Sequence, residues 1–388
     1  MKILLIGGTG LLSTDVMNLA VARGYEVYIL NRGRNLSKIP PDVKVLRANI
    51  RDKNEVEAVL DGLSFDVVAD FLSYLPRELE NTLAVLVNKC KHFIFVSSAC
   101  AYCRSNSDVV ITERTPLGNS KWDYGKNKEK CEDLLRSTCE KFRIQYTIVR
   151  PYITYGNTRL PYGVMPPYGW HWTLVERIRN EKPIFLWDDG AVVCTITHVS
   201  DFSKGFVGLF CNESAYNEDF HIVSDDRISW KELLLLIGRM IGKSPVIVEI
   251  PSVFAAHKIP SIGGMLLGDR AISAKFDNGK IKKAVPDFTC GTSLENGIKR
   301  TLQYYRENNY LNGIDYAWDA KMDKLINDYY REELNVSPPL NLFFIDYLST
   351  KSLENKFNYY VNRYMQESVI KFFGPCIRAM NYLVRFFK

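Results

Sequence analysis

Lys2-Ile-Leu-Leu-Ile-Gly-Gly-Thr-Gly-Leu-Leu-Ser13 is the stretch whose reading decides the fold. Ile3 to Ile6 form the short apolar run that a strand buried on both faces of a parallel sheet requires. Gly7, Gly8 and Gly10 then turn the chain, and Leu11 to Arg23 carry apolar residues at helical spacing up to Gly24. A strand, a glycine turn and a helix in that order aim backbone N–H groups and a helix dipole at one point, where a pyrophosphate fits. The spacing is Gly7-x-x-Gly10-x-x-Ser13, with serine where a third glycine is common.

Working outward, Glu26 to Leu30 reads as a second strand. An acidic residue just past it would bind an adenosine ribose 2′-hydroxyl; the chain has Asn31-Arg32-Gly33-Arg34 instead. Arg32 and Arg34 suit a 2′-phosphate, so NADP is favoured over NAD. Val43 to Leu46, Phe65 to Phe71 and His92 to Val96 continue as strands, with Asp52 placed to cap one intervening helix and Leu79 to Lys89 forming another. The alternation predicts an α/β fold, a Rossmann doubly wound parallel sheet. The last of these strands runs into Ser97-Ser98. A helix predicted over Trp122 to Lys141 follows, with Tyr124 and Lys128 four apart on one face. A neighbouring ammonium favours the phenolate and brings a tyrosine of pKa about 10 towards neutral-pH acid/base work.

These motifs resemble the extended short-chain dehydrogenase/reductases, the NAD-dependent epimerase/dehydratase group, over roughly the first 160 residues. The residues that carry the resemblance are Gly7-Gly-Thr-Gly10, Asn49-Ile-Arg-Asp52, Val96-Ser-Ser-Ala-Cys-Ala-Tyr102, Tyr124-x-x-x-Lys128 and Val149-Arg-Pro151. The resemblance implies Ser98, Tyr124 and Lys128 as the catalytic triad, with Tyr124 and Lys128 also on the cofactor side. It implies Gly7, Thr9, Gly10, Leu11 and Leu12 at the pyrophosphate, Asn49 and Ile50 at the adenine and Phe71 on the ribose side; Asn31, Arg32 and Arg34 complete the set. It implies hydride transfer to or from a sugar or nucleotide-sugar carbon, and a homodimer through the helices at 79–89 and 122–141. No acid/base pair stands beside Ser98, which ranks dehydratase below epimerase or reductase. Asp66 to Tyr74 also resembles a subgroup that includes the chloroplast stem-loop-binding proteins, so an RNA-binding or scaffold protein on a retained fold is the alternative. The only local basic run is Lys280-Ile-Lys-Lys283, and nucleic acid is not the expected partner.

The expected organisation is a nucleotide-binding domain over 1–160, completed by about 190–224, a substrate lobe over 161–189 and 225–310, and a helical extension over 311–388. Cys194 stands where members acting on nucleotide sugars carry a diphosphate-binding arginine; Arg159, Arg177 and Lys182 are candidates to replace it. Tyr155, Tyr162, Tyr168, Trp170 and Trp172 would either line a sugar pocket or pack between lobes. His198, at a strand's end, reads as structural. Composition is that of a globular protein, 46% hydrophobic and 24% charged with a net charge of +6 over 388 residues. Nine cysteines at irregular spacing, with no leader pattern before the first strand, lead to the expectation of a cytoplasmic protein with reduced thiols. Cys100-Ala-Tyr-Cys103 reads as core filler, and no metal site is expected. Val369, Ile370, Phe373, Ile377, Met380, Val384 and Phe387 recur at helical spacing among Lys371, Arg378, Arg385 and Lys388. That face would lie peripherally on an anionic membrane, or dock on the protein itself or a partner copy.

Overall fold

The computed structural model describes residues 1–33, 39–104, 109–165, 171–308, 313–338, 353–365 and 369–370. It divides into two units. The first comprises Met1–Gly156, Cys194–Arg227 and Ser273–Gly297; the second comprises Asn157–Val193, Ile228–Ile272 and Ile298–Lys388.

The first unit is built on β1 (Lys2–Ile6), α1 (Leu11–Ala22), β2 (Glu26–Asn31), β3 (Lys44–Arg47), α2 (Lys53–Val59), β4 (Phe65–Asp70), α3 (Pro76–Leu86), β5 (Cys90–Val96), α4 (Asp123–Phe142) and β6 (Gln145–Val149). A seventh strand, Glu218–Phe220, joins one edge, giving the order Glu218–Phe220, β6, β5, β4, β1, β2, β3, every pair parallel. Ile3 to Ile6 are fully buried because both faces of β1 are covered. Ile3, Leu5, Val67, Ala69 and Ile94 pack with α1 and the helix Val199–Gly208 on one face. Leu4, Ile6, Val68, Phe93 and Phe95 pack with α3 and α4 on the other. The sheet is therefore doubly wound, and the strand order reverses between β1 and β4, where such sheets bind ligands beyond their carboxyl ends.

Local signals hold closely. Asp52 caps α2 by accepting from the amides of Asn54 and Glu55. The edge strand Glu218–Phe220 ends at Phe220. Phe220 still accepts from the Arg150 amide, but the next amide, His221, leaves the ladder and donates to the Glu113 carboxylate (3.2 Å).

In the second unit, strands Ile184–Trp187 and Ile247–Ile250 pair in parallel. Ser229 and Glu232 form a capping box on the helix Trp230–Ile241, which stops at Gly242 with φ of 84°. Helix Tyr316–Glu332 falls where expected and packs on Leu353–Tyr364. Arg177 and Lys182, both buried, pair with Asp319 and Asp323 on that helix. This corrects the idea that either replaces a diphosphate-binding arginine, because their charge is already matched inside the unit. Tyr162 and Trp172 are buried, with rings against Trp187, Trp318 and Tyr305. Tyr168 and Trp170 lie outside the described residues, as does the amphipathic run beyond Ile370. Among the described residues no helix is long and apolar enough to cross a membrane.

Candidate active site

All the candidate groups described below belong to the first unit. The glycine turn is tight because protein atoms crowd it. Gly7 has φ of +104° and donates its amide to the Leu30 carbonyl (3.1 Å); a Cβ there would fall 2.7 Å from Leu72 Cγ. A Cβ on Gly8 would fall 2.5 Å from Ile29 Cγ2. Gly10 is different, since a Cβ there would meet only the Ser13 hydroxyl, at 3.3 Å, among the described residues. Ser13 accepts the Gly10 amide (2.9 Å), so the serine in place of a third glycine helps cap α1. The Leu11 and Leu12 amides belong to the first turn of α1, which has no intrahelical acceptors. Glycine turn, helix start and sheet switch point thus coincide, a geometry that fits a dinucleotide pyrophosphate.

At the end of β2 the Asn31 side chain accepts the Gly33 amide (2.8 Å), and Arg32 is exposed. Arg34 lies outside the described residues. A cation that sequence reasoning missed stands beside Asn31 and Gly33: Arg47 pairs in register with Asn31, and its Cδ would lie 3.3 Å from a Cβ on Gly33. Only the parallel pairing of β2 with β3 brings it there. Asn49 accepts the Arg51 amide (3.3 Å), and Ile50 packs on the apolar core. The Phe71 amide donates to the Ile6 carbonyl (3.2 Å), and its ring centroid lies 5.1 Å from that of Phe206.

Beyond β5, Ser98 is buried, and its hydroxyl oxygen accepts the Cys100 amide (3.2 Å). Tyr124 sits in the first turn of α4, half-buried, with the Trp122 and Tyr74 rings at centroid distances of 4.9 and 5.9 Å. One turn on, Lys128 is 2% exposed. Its Nζ donates to the carbonyls of Ser73 (2.7 Å) and Val96 (2.8 Å) and lies 5.9 Å from the Tyr124 ring centre. Burial penalises the ammonium and lowers its pKa to about 8, against the pull of the Asp70 charge.

A second turn along α4, Glu132 accepts from Ser97 Oγ (2.5 Å) and from Arg150 Nε (2.9 Å) and Nη2 (2.5 Å). Arg150 also donates to the Tyr102 hydroxyl (3.0 Å) and to Asp219 (2.9 Å). The Val-Arg-Pro motif therefore ties α4 to the strand end that carries Ser98. His198 caps the helix Val199–Gly208 by accepting the Ser200 amide at Nδ1 (3.2 Å). Cys100 is buried but Cys103 is exposed, so only one of that pair fills core. No metal-binding group of three or more ligands occurs among the described residues. Lys280 and Lys282 are paired with Glu218 and Asp225.

The family model described as "NAD dependent epimerase/dehydratase family" matches residues 3–222. Chloroplast stem-loop binding protein of 41 kDa b from Arabidopsis thaliana is 26% identical over 245 residues, covering 60% of this chain and 61% of that protein. UDP-N-acetyl-alpha-D-glucosaminuronate decarboxylase from Bacillus cytotoxicus is 23% identical, covering 79% of this chain and 98% of that protein. The fold is similar to that of UDP-glucuronic acid 4-epimerase from Bacillus cereus in complex with NAD, with TM-score 0.63 and 17% identity over 80% of this chain and 99% of that one.

Proposed function

Because the chain belongs to the NAD dependent epimerase/dehydratase family, we propose that it is a nicotinamide-dependent epimerase or reductase acting on a hydroxyl or carbonyl of a sugar or nucleotide sugar. The observation that carries this reading is Lys128, a fully buried ammonium one helical turn from a half-exposed tyrosine. Structural lysines are rarely buried unless a carboxylate bonds them directly, and this one is bonded to two carbonyls.

In this reading Tyr124 takes or returns the proton of the reacting hydroxyl, and Lys128 favours its phenolate form. Ser98 Oγ already accepts from the Cys100 amide, which leaves its own O–H to donate to the reacting oxygen. A bound nicotinamide supplies the hydride step. Gly7, Thr9, Gly10 and the amides of Leu11 and Leu12 would hold its pyrophosphate, Asn49 and Ile50 the adenine. Arg32 and Arg47, with Arg34, support NADP over NAD by offering guanidinium groups to a 2′-phosphate. Dehydratase chemistry ranks lower: Glu113 already accepts the His221 amide, and Asp123 faces Lys126 at the exposed start of α4.

The test is a thermal-shift screen with NAD, NADP and a panel of nucleotide sugars, followed by turnover assays of the stabilising pairs. Tyr124→Phe is expected to lower turnover by about 10³-fold while the nucleotide shift persists. No shift with either nucleotide overturns the reading. The similarity to a stem-loop binding protein supports one alternative, an RNA-binding role, for which retention on RNA would be salt-sensitive and indifferent to Tyr124→Phe.

A further inference from the structure

The turn after β4 holds a buried carboxylate that the chemistry above does not use. Asp70 is fully buried. Its Oδ1 accepts the amides of Leu72 (2.8 Å) and Ser73 (3.1 Å), and its Oδ2 accepts the Ser73 hydroxyl (2.5 Å). These three bonds shape the turn from which the Ser73 carbonyl reaches Lys128 and from which the Tyr74 ring covers it, 4.8 Å from Nζ. Resting on the reading of Lys128 as the partner of Tyr124, we propose that Asp70 is a positioning residue, whose carboxylate builds the 70–74 turn and keeps Lys128 charged beneath Tyr124.

The neighbouring titratable groups argue for Asp70 by elimination. Besides Asp70, the main groups acting on Lys128 are Cys131 and Glu132 of α4 and Glu78 of α3, and the Tyr74 and Tyr124 rings also face it. Glu78 is bonded by Arg51 and by the amides of Tyr74 and Leu75. Glu132 is matched by Arg150. Burial pushes the Cys131 thiol up to about 12, so it stays neutral. Among the described residues Asp70 is bonded by no cation, and its three donors are all from its own turn. Burial holds the Asp70 carboxyl above the usual carboxylate range, and the Ser73 hydroxyl, the two amides and the Lys128 charge offset that rise in part. Each of the two buried charges therefore supports the other. With Lys128 already near 8, loss of the Asp70 charge lowers it further and leaves much of the amine neutral at physiological pH. The Tyr124 phenolate then loses the Lys128 charge 5.9 Å from its ring centre.

Asp70→Asn separates shape from charge, because an amide can keep the bonds to Leu72, Ser73 and the Ser73 hydroxyl. The measurement is the titration of the Lys128 amine by ¹⁵N-lysine NMR on the full chain, assigned with Lys128→Arg. In Asp70→Asn that titration is expected to fall by about one pH unit, a tenfold change in the constant. For whichever nucleotide sugar is turned over, the alkaline limb of kcat moves down equally, while KM changes less than about twofold. Asp70→Glu, which restores the charge, recovers part of the shift. Ser73→Ala keeps the carboxyl but removes the hydroxyl that binds it, and gives a smaller fall in the same direction. A Lys128 titration like that of the wild type in folded Asp70→Asn overturns the proposal. If Asp70→Asn does not fold, an unmoved titration in Ser73→Ala does so. If the wild type turns over no panel member, the proposed function fails while the NMR titration still decides the role of Asp70.

Discussion

Lys128 in the first unit and the Arg177–Lys182 pair in the second bury positive charge in opposite ways. In the second, Arg177 and Lys182 face Asp319 and Asp323, with contacts of 2.5 to 3.3 Å between them. Two cations meet two carboxylates, and the Tyr359 hydroxyl adds a bond to Asp323 (2.9 Å). In the first, Lys128 meets two carbonyls and the faces of Tyr74 and Phe95 at 4.8 and 4.7 Å. Direct pairing keeps a buried charge fixed and inert; carbonyls and rings keep it poised to titrate. A matched cluster therefore reads as architecture, and an under-matched ammonium beside a tyrosine reads as chemistry.

The contrast breaks most visibly at Asp319. Asp319→Ala would leave Arg177 and Lys182 with one carboxylate between them, and a loss of about 3–5 kcal/mol is expected in denaturant unfolding. A loss under about 1 kcal/mol would show that the cluster is solvated and not a structural core. Next comes Lys128→Met. The folded lysine sits near 8 and the unfolded one at 10.5. Between those values the unfolded chain holds a proton that the folded one has released, so this residue makes stability rise with pH across that window. Below pH 8 its burial penalty is present in full. The stability difference between wild type and Lys128→Met is thus expected to change by about 3 kcal/mol between pH 7 and 11. A difference independent of pH would place Lys128 with the matched charges of the second unit. The smallest effect belongs to Tyr359→Phe, which removes one bond to Asp323 and should cost about 1 kcal/mol; no change at all would mean that the hydroxyl adds nothing to the cluster.

Most of the sheet was legible because its signals are local. The Ile3–Ile6 run, the Gly7–Gly10 turn and the Asp52 cap each act within a few residues, and each stands where the sequence puts it. The pairing of Tyr124 with Lys128 was legible for the same reason, being one helical turn. What escaped the sequence depends on neighbours far apart in the chain. Arg47 comes beside Gly33 only through the β2–β3 register. Arg177 meets Asp319 across 142 residues, which no periodicity reveals, and so it looked available to a diphosphate. Asp70 read as the end of a strand, because the carbonyl that its turn offers to Lys128 lies across 55 residues of chain.

That long separation also bears on how the protein is made. Chains emerge at roughly 5–20 residues per second, so Arg177 is synthesised roughly 7–28 s before Asp319 exists. Helix Leu353–Tyr364, whose Tyr359 completes the cluster, follows later still. The β1–β6 strands and their helices are by then finished and free to pack. The second unit must hold two charged side chains open, on unfinished chain, until its last helices arrive. Slowing elongation between residues 183 and 318 should therefore lengthen the lifetime of a half-folded protein whose second unit is the protease-sensitive part.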